Sequence, residues 1–202
     1  MIGIIVQLAI SWLLIGLIEK KNLGVLGFRP TWRRVGDFGL YLVIAAACCF
    51  SGFLLRMYVG NERWVLNPQF SFNMLFSGAW WHFRSVIYEE LIFRGVIFYI
   101  LIRRLGMWWA ILISSVAFGI YHWFSFGVLG NPIQMTYVFV STGTWGLMFA
   151  FAFSKTKSLY LPTGLHLGWN LLNIVVFSQG PLGHQLLINS AIQSHTIDQS
   201  RV

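Results

Sequence analysis

Glu89 and Glu90, followed by Arg94, stand inside an apolar stretch of the chain, and two further polar pairs recur downstream: Phe118 with His122, and His166 with Asn170. A separation of four positions places both members of a pair on one face of a helix. Glu90 and Arg94 can therefore pair, while Glu89 is turned about 100° away, toward the face of Phe93. One carboxylate has a partner on its own helix, and the other is available for chemistry.

The membership of this group limits what it can do. It holds carboxylates, imidazoles and a carboxamide, with no serine or cysteine at the matched positions. The attacking group is therefore expected to be water and not an activated side chain. A carboxylate beside a histidine can hold and deprotonate a water molecule. A second histidine and an asparagine can donate hydrogen bonds to the oxyanion of a tetrahedral intermediate. Together these functions suit hydrolysis of an amide bond. Zinc-assisted hydrolysis competes, with Glu89, His122 and His166 as the alternative ligand set, although the two-histidine HExxH spacing is missing. The cofactor-free reading is preferred, with zinc as the alternative.

The surroundings make these residues costly. Of the 202 residues, 57% are hydrophobic and only 10% charged. A soluble domain carries about a quarter charged residues, so much of this surface is expected to face lipid. Charged groups near the centre of a span cost about 2.5–3.5 kcal/mol each on insertion scales, and they usually face a bundle interior and serve a purpose. The net charge of +8 comes from short basic groups between apolar runs, not from a stripe or tail. That distribution suits juxtamembrane loops on an anionic leaflet and argues against nucleic-acid binding.

A spanning helix needs about 20 mostly apolar residues. Stretches of that kind lie near 2–18, 38–59, 80–102, 108–124, 133–153 and 158–177, which predicts an all-α, polytopic transmembrane helix bundle of about six spans. The first stretch, Met1 to Ile18, has no Lys or Arg and no small-residue cleavage pattern, and reads as a retained helix. Basic residues favour the odd loops: Lys20, Lys21, Arg29, Arg33 and Arg34 in the first, Arg103 and Arg104 in the third, Lys155 and Lys157 in the fifth. The even loops and the tail hold Arg56, Arg63 and Arg201. This alternation predicts that the odd loops share one side, the cytoplasmic one by the positive-inside rule.

Depth links the polar groups. Counted along straight helices from that side, Glu89 and His122 each lie about 21 Å up, and His166 and Asn170 about 14 and 20 Å. Three helices are thus expected to bring polar groups to comparable depth. The other candidates receive plainer readings. His82 and Arg84, flanked by Trp80 and Trp81, look like an interfacial belt. His184 and His195 are expected to face solvent, and the adjacent Cys48 and Cys49 to be small buried side chains.

Glu89 to Arg94 resembles the EExxxR signature, Phe118 to His122 the FxxxH motif and His166 to Asn170 the HxxxN motif of the CPBP (Abi) intramembrane proteases. That family includes the type II CAAX prenyl endopeptidases and bacteriocin-processing or immunity relatives. The resemblance covers roughly residues 75–177. It implies that Glu89 is the principal glutamate, activating water with His122, and that His166 and Asn170 stabilise the oxyanion. Glu90 and Arg94 would be an orienting pair, and Phe118 would support the site from behind. The expected organisation is a pair of N-terminal helices over 1–70, a protease core over 71–180 and a polar tail over 181–202. The expected partners are membrane lipid and a peptide or membrane-anchored protein, prenylated or not, and the expected location is a bacterial cell membrane. In the prenyl-processing members the site is reached from the cytosol, which conflicts with a site placed by charge count nearer the outer face. A non-catalytic immunity or scaffold protein of the same fold is the rival class.

Overall fold

A computed structural model of the chain describes residues 2–179, 182–183 and 185–190; His184 and His195 lie outside them. The helices are α1 (Ile2–Glu19), α2 (Trp32–Val59), α3 (Phe72–Phe93), α4 (Val96–Leu105), α5 (Met107–Ser125), α6 (Pro132–Thr156) and α7 (Tyr160–Asn170). A 3₁₀ turn, Leu23–Leu26, follows α1, and a π-helical segment, Leu171–Val176, continues α7. Two short strands, β1 (Trp64–Leu66) and β2 (Leu187–Asn189), complete the described elements. The protein is an all-α membrane protein in architecture. Ile2, Ile5, Trp12, Leu13 and Leu17 of α1 are exposed, and only Ser11 and Ile15 of that helix are buried. An apolar outer surface on this scale is what lipid requires and water penalises.

Among the described residues, α1, α2, α5 and α6 are long and apolar enough to cross a membrane. The other two predicted spans are not single helices. The stretch 80–102 breaks between Phe93 and Val96, and 158–177 passes from α7 into the π segment. At the break, a side chain on Gly95 would collide with the Leu91 carbonyl, so the chain turns where only glycine fits. Ser114 of α5 donates to the freed Phe93 carbonyl at 2.8 Å, which satisfies the helix end without water. The straight count of fourteen residues from Arg103 back to Glu89 therefore does not describe a continuous rod.

The chain divides into two compact units. The first comprises residues 1–38 and 86–163. Its core is built from Ile15, Leu26, Val96, Phe98, Ala110, Phe153 and Leu159. At one end the odd loops meet. Arg103 and Arg104 lie 3.6 and 3.3 Å from Glu19, Lys21 donates to the Tyr99 hydroxyl at 2.7 Å, and the Leu159 N–H donates to the Leu26 carbonyl at 3.1 Å. The first, third and fifth loops thus share one side, as the charge alternation predicts.

The second unit comprises 39–85 and 164–202. Here β1 and β2 pair antiparallel, with Val65 opposite Ile188. The strand at 187–189 lies in the segment expected to be a polar tail; it is ordered because Ile188 is buried and Asn67 bridges to it, donating to the Gln185 carbonyl at 2.8 Å. Phe53 and Phe177 stack at 3.8 Å, with Trp64 edge-on to both. This cluster ties α2, β1 and the end of the π segment together, and Cys49 is buried in it. Cys48 is exposed, contrary to expectation. Neighbouring residues of a helix point about 100° apart, so one cysteine faces the packed side and the other does not. A side chain on Gly168 would collide with the Leu42 carbonyl, which makes the central residue of HxxxN a point of close approach between α7 and α2.

Candidate functional site

In the first unit, the last turns of α3 and the last turns of α5 hold the acidic and imidazole groups. The Nε2 of His122 lies 3.9 Å from Oε2 of Glu89. That distance exceeds a hydrogen bond between the two atoms and suits a bridging water. The other ring nitrogen, Nδ1, stands 2.8 Å from the Phe118 carbonyl. A carbonyl only accepts, so Nδ1 carries a hydrogen and donates it, and in the neutral ring Nε2 presents its lone pair toward Glu89. A carboxylate and an imidazole lone pair converging on one point form a proton acceptor.

Glu90 and Arg94 form the second pair, with Nε of Arg94 3.4 Å from Oε2 of Glu90. Among the described residues no side-chain nitrogen of Arg94 makes an aligned hydrogen bond. The guanidinium is held instead by charge and by aromatic faces: its carbon lies 4.4 Å from the centre of the Phe118 ring, 5.0 Å from Phe149 and 5.7 Å from Phe93. Desolvated cation–π contacts of this kind are each worth about 1–2 kcal/mol. Phe118 therefore does two things, one with its ring and one with its carbonyl, and joins the two pairs.

Exposure separates their roles. Glu90 and Arg94 are 1% and 0% exposed, whereas Glu89 and His122 each keep 8%. The sealed pair can hold the helix and orient its neighbour; only the other pair presents an edge to an incoming molecule. Phe149, on α6, is a part of this cage that sequence reading missed, since one phenylalanine in an apolar helix carries no signal.

In the second unit, His166 is buried and Asn170 half-buried on α7, one turn apart on a common face, with the π segment starting directly after Asn170. Widened helical turns of this type occur frequently at functional sites. His82 is the correction here. The predicted interfacial residue is only 2% exposed. Trp80 and Trp81 are exposed as a belt requires, and Arg84 lies over the Trp80 ring at 5.9 Å. The flanking tryptophans mislead because His82, about 100° round the helix from Trp81, falls on the packed side of α3. As to a metal, no group of three or more His, Cys, Asp or Glu among the described residues is arranged to hold one.

The family model described as type II CAAX prenyl endopeptidase Rce1-like matches residues 71–172. YdiL of Bacillus subtilis (strain 168), a protein named as a membrane peptidase, is 33% identical over 90 residues, which is 45% of this chain and 32% of that protein. The match thus spans about a third of the relative's length. No solved structure matches the chain.

Proposed function

The chain belongs to the Rce1-like family of type II CAAX prenyl endopeptidases, and from that premise we propose that it is a multi-pass endopeptidase of a bacterial cell membrane, with Glu89 and His122 as its water-activating pair. Its substrate is a peptide or a membrane-tethered protein of CAAX type, prenylated or not. The observation that carries this reading is the 3.9 Å approach of His122 Nε2 to Glu89 Oε2, with Nδ1 committed to the Phe118 carbonyl.

A water held between the two side chains loses a proton to the pair as its oxygen attacks the scissile carbonyl carbon. The carbonyl oxygen takes up negative charge, and His166 and Asn170, by their place in the HxxxN motif, donate hydrogen bonds to it. An oxyanion donor is worth about 3–4 kcal/mol of barrier. When the intermediate collapses, the C–N bond breaks and the proton held by the pair passes to the leaving amine. Glu90, neutralised by Arg94, orients α3 without exchanging protons. This scheme routes no step through a metal.

The test is cleavage of prenylated and unprenylated membrane peptides by the purified chain in lipid. Wild type should cleave; Glu89→Ala, His122→Ala and His166→Ala should fall to background while remaining folded and inserted. A folded Glu89→Ala protein that cleaves at the wild-type rate rejects the mechanism.

A further inference from the structure

Within the first unit, the Glu89–His122 pair sits at one particular end. His122 is fifteen residues beyond Met107 on the unbroken helix α5, a rise of about 22 Å, and three residues short of the end of that helix at Ser125. Glu89 is at the same level, held there by its 3.9 Å approach to His122, although its own helix breaks before the third loop. The pair therefore lies beside the α5–α6 turn, at the opposite end of α5 from Arg103 and Arg104.

The two ends of α5 differ in charge. Where α5 starts, the first, third and fifth loops meet and gather their basic groups; besides the contacts to Glu19, Tyr99 and Leu26, the Tyr160 hydroxyl donates to the Phe28 carbonyl at 3.3 Å. From Leu105 to Ser154, through all of α5, the turn and nearly all of α6, there is no Lys, Arg, Asp or Glu. The end that carries the pair exposes Phe124, Phe126 and Leu129 instead, and the Phe126 ring lies 5.3 Å from the His122 ring. Short loops rich in Lys and Arg stay on the cytoplasmic side, because crossing would carry each charge against an inside-negative potential and away from an anionic leaflet. An uncharged apolar turn meets no such barrier.

We propose that the Glu89–His122 pair opens to the outer, non-cytoplasmic side of the membrane, and that its substrate is an apolar peptide segment exposed on that side. The substrate assignment rests on the peptidase reading, and it departs from the cytosolic access of the prenyl-processing proteases. The turn beside the imidazole offers no partner to a charged side chain, so a charged segment would lose its hydration there without compensation, whereas an apolar one gains contact.

The experiment has two arms, both on the full chain in a bacterial membrane. In the first, Leu129→Cys and Arg29→Cys are made separately with Cys48→Ser and Cys49→Ala, and intact spheroplasts are treated with a membrane-impermeant maleimide. Leu129→Cys should be labelled at once and Arg29→Cys only after the membrane is opened; the reverse pattern, or labelling of both in intact spheroplasts, overturns the orientation. In the second, wild type and Glu89→Ala are compared in right-side-out and inverted vesicles with an apolar fluorogenic peptide that a charged tag keeps from crossing the bilayer. Right-side-out wild-type vesicles should cleave it at the rate seen after detergent opening, and inverted ones at the Glu89→Ala background. Cleavage confined to inverted vesicles, or equal in both, overturns the proposal without any substitution that could disturb folding. A companion peptide with Lys in place of its apolar residues should be cleaved at least about tenfold more slowly; equal rates overturn the apolar assignment alone. If opened wild-type vesicles cleave no more than Glu89→Ala, the peptidase reading falls and takes the substrate with it, while the labelling still decides the orientation.

Discussion

Replacing Arg94 by Met should be among the most damaging single changes to stability, and the damage should be reversible by a second substitution. Arg94 is fully buried and stands 3.4 Å from Glu90, itself 1% exposed. Removing one member of a buried ion pair strands the other charge and costs about 3–5 kcal/mol. The cage adds to this, since a methionine at the centre of Phe93, Phe118 and Phe149 keeps dispersion contacts but forfeits the cation–π attraction. Arg94→Lys should cost less, because the charge stays, but a compact ammonium cannot lie flat against several rings. The double variant Glu90→Gln with Arg94→Met removes both charges and should recover most of the loss, as apolar replacement of buried pairs generally does. The assay is reversible unfolding in mixed micelles, with the four corners of a double-mutant cycle measured together. A loss under about 1 kcal/mol for Arg94→Met would place the pair in the class of surface ion pairs and refute the argument from burial. A double variant no better than the single would refute the argument from stranded charge.

Phe118→Leu keeps the backbone carbonyl that accepts from His122 and removes the ring 4.4 Å from the Arg94 guanidinium; the expected result is a stability loss of about 1–3 kcal/mol with cleavage reduced but present, read by unfolding and by peptide turnover. Gly168→Ala drives a methyl group into the Leu42 carbonyl, a backbone atom that cannot rotate away, and should lower stability by about 1–3 kcal/mol, whereas Gly36→Ala, which meets nothing, should not. Phe177→Ala empties the stack against Phe53 and Trp64 and should cost about 3–5 kcal/mol, visible as early protease sensitivity of the β1–β2 region. Exhaustive chelation should leave peptide cleavage unchanged if Glu89 and His122 act on water directly; loss of activity restored by added zinc would favour the alternative ligand set.

Much of the candidate site was legible before any coordinates. Glu90 and Arg94 pair because four positions make one helical turn, and their pairing needed no tertiary information. The apolar runs, the basic loops and the shared side of the odd loops follow equally from composition, since lipid constrains each segment separately. Contacts between helices are of another kind. That Phe118 should turn its ring to Arg94 while its carbonyl fixes the proton on His122 depends on how α5 packs, as does the contribution of Phe149 from α6. The break at Gly95 was hidden because hydropathy reads the same on either side of it, and steric contact with the Leu91 carbonyl has no signature in a window of apolar residues. His82 was misplaced for a similar reason: a histidine directly after two tryptophans reads as interfacial, and only the packing of that face of α3 buries it. The sequence by itself determined which residues are too costly to be idle in a membrane and which of them share a helix face. The tertiary structure decided that the Glu90–Arg94 pair is sealed under the rings of Phe118 and Phe149 and that Glu89 meets His122, because both depend on which neighbouring helix covers each side of the same turn.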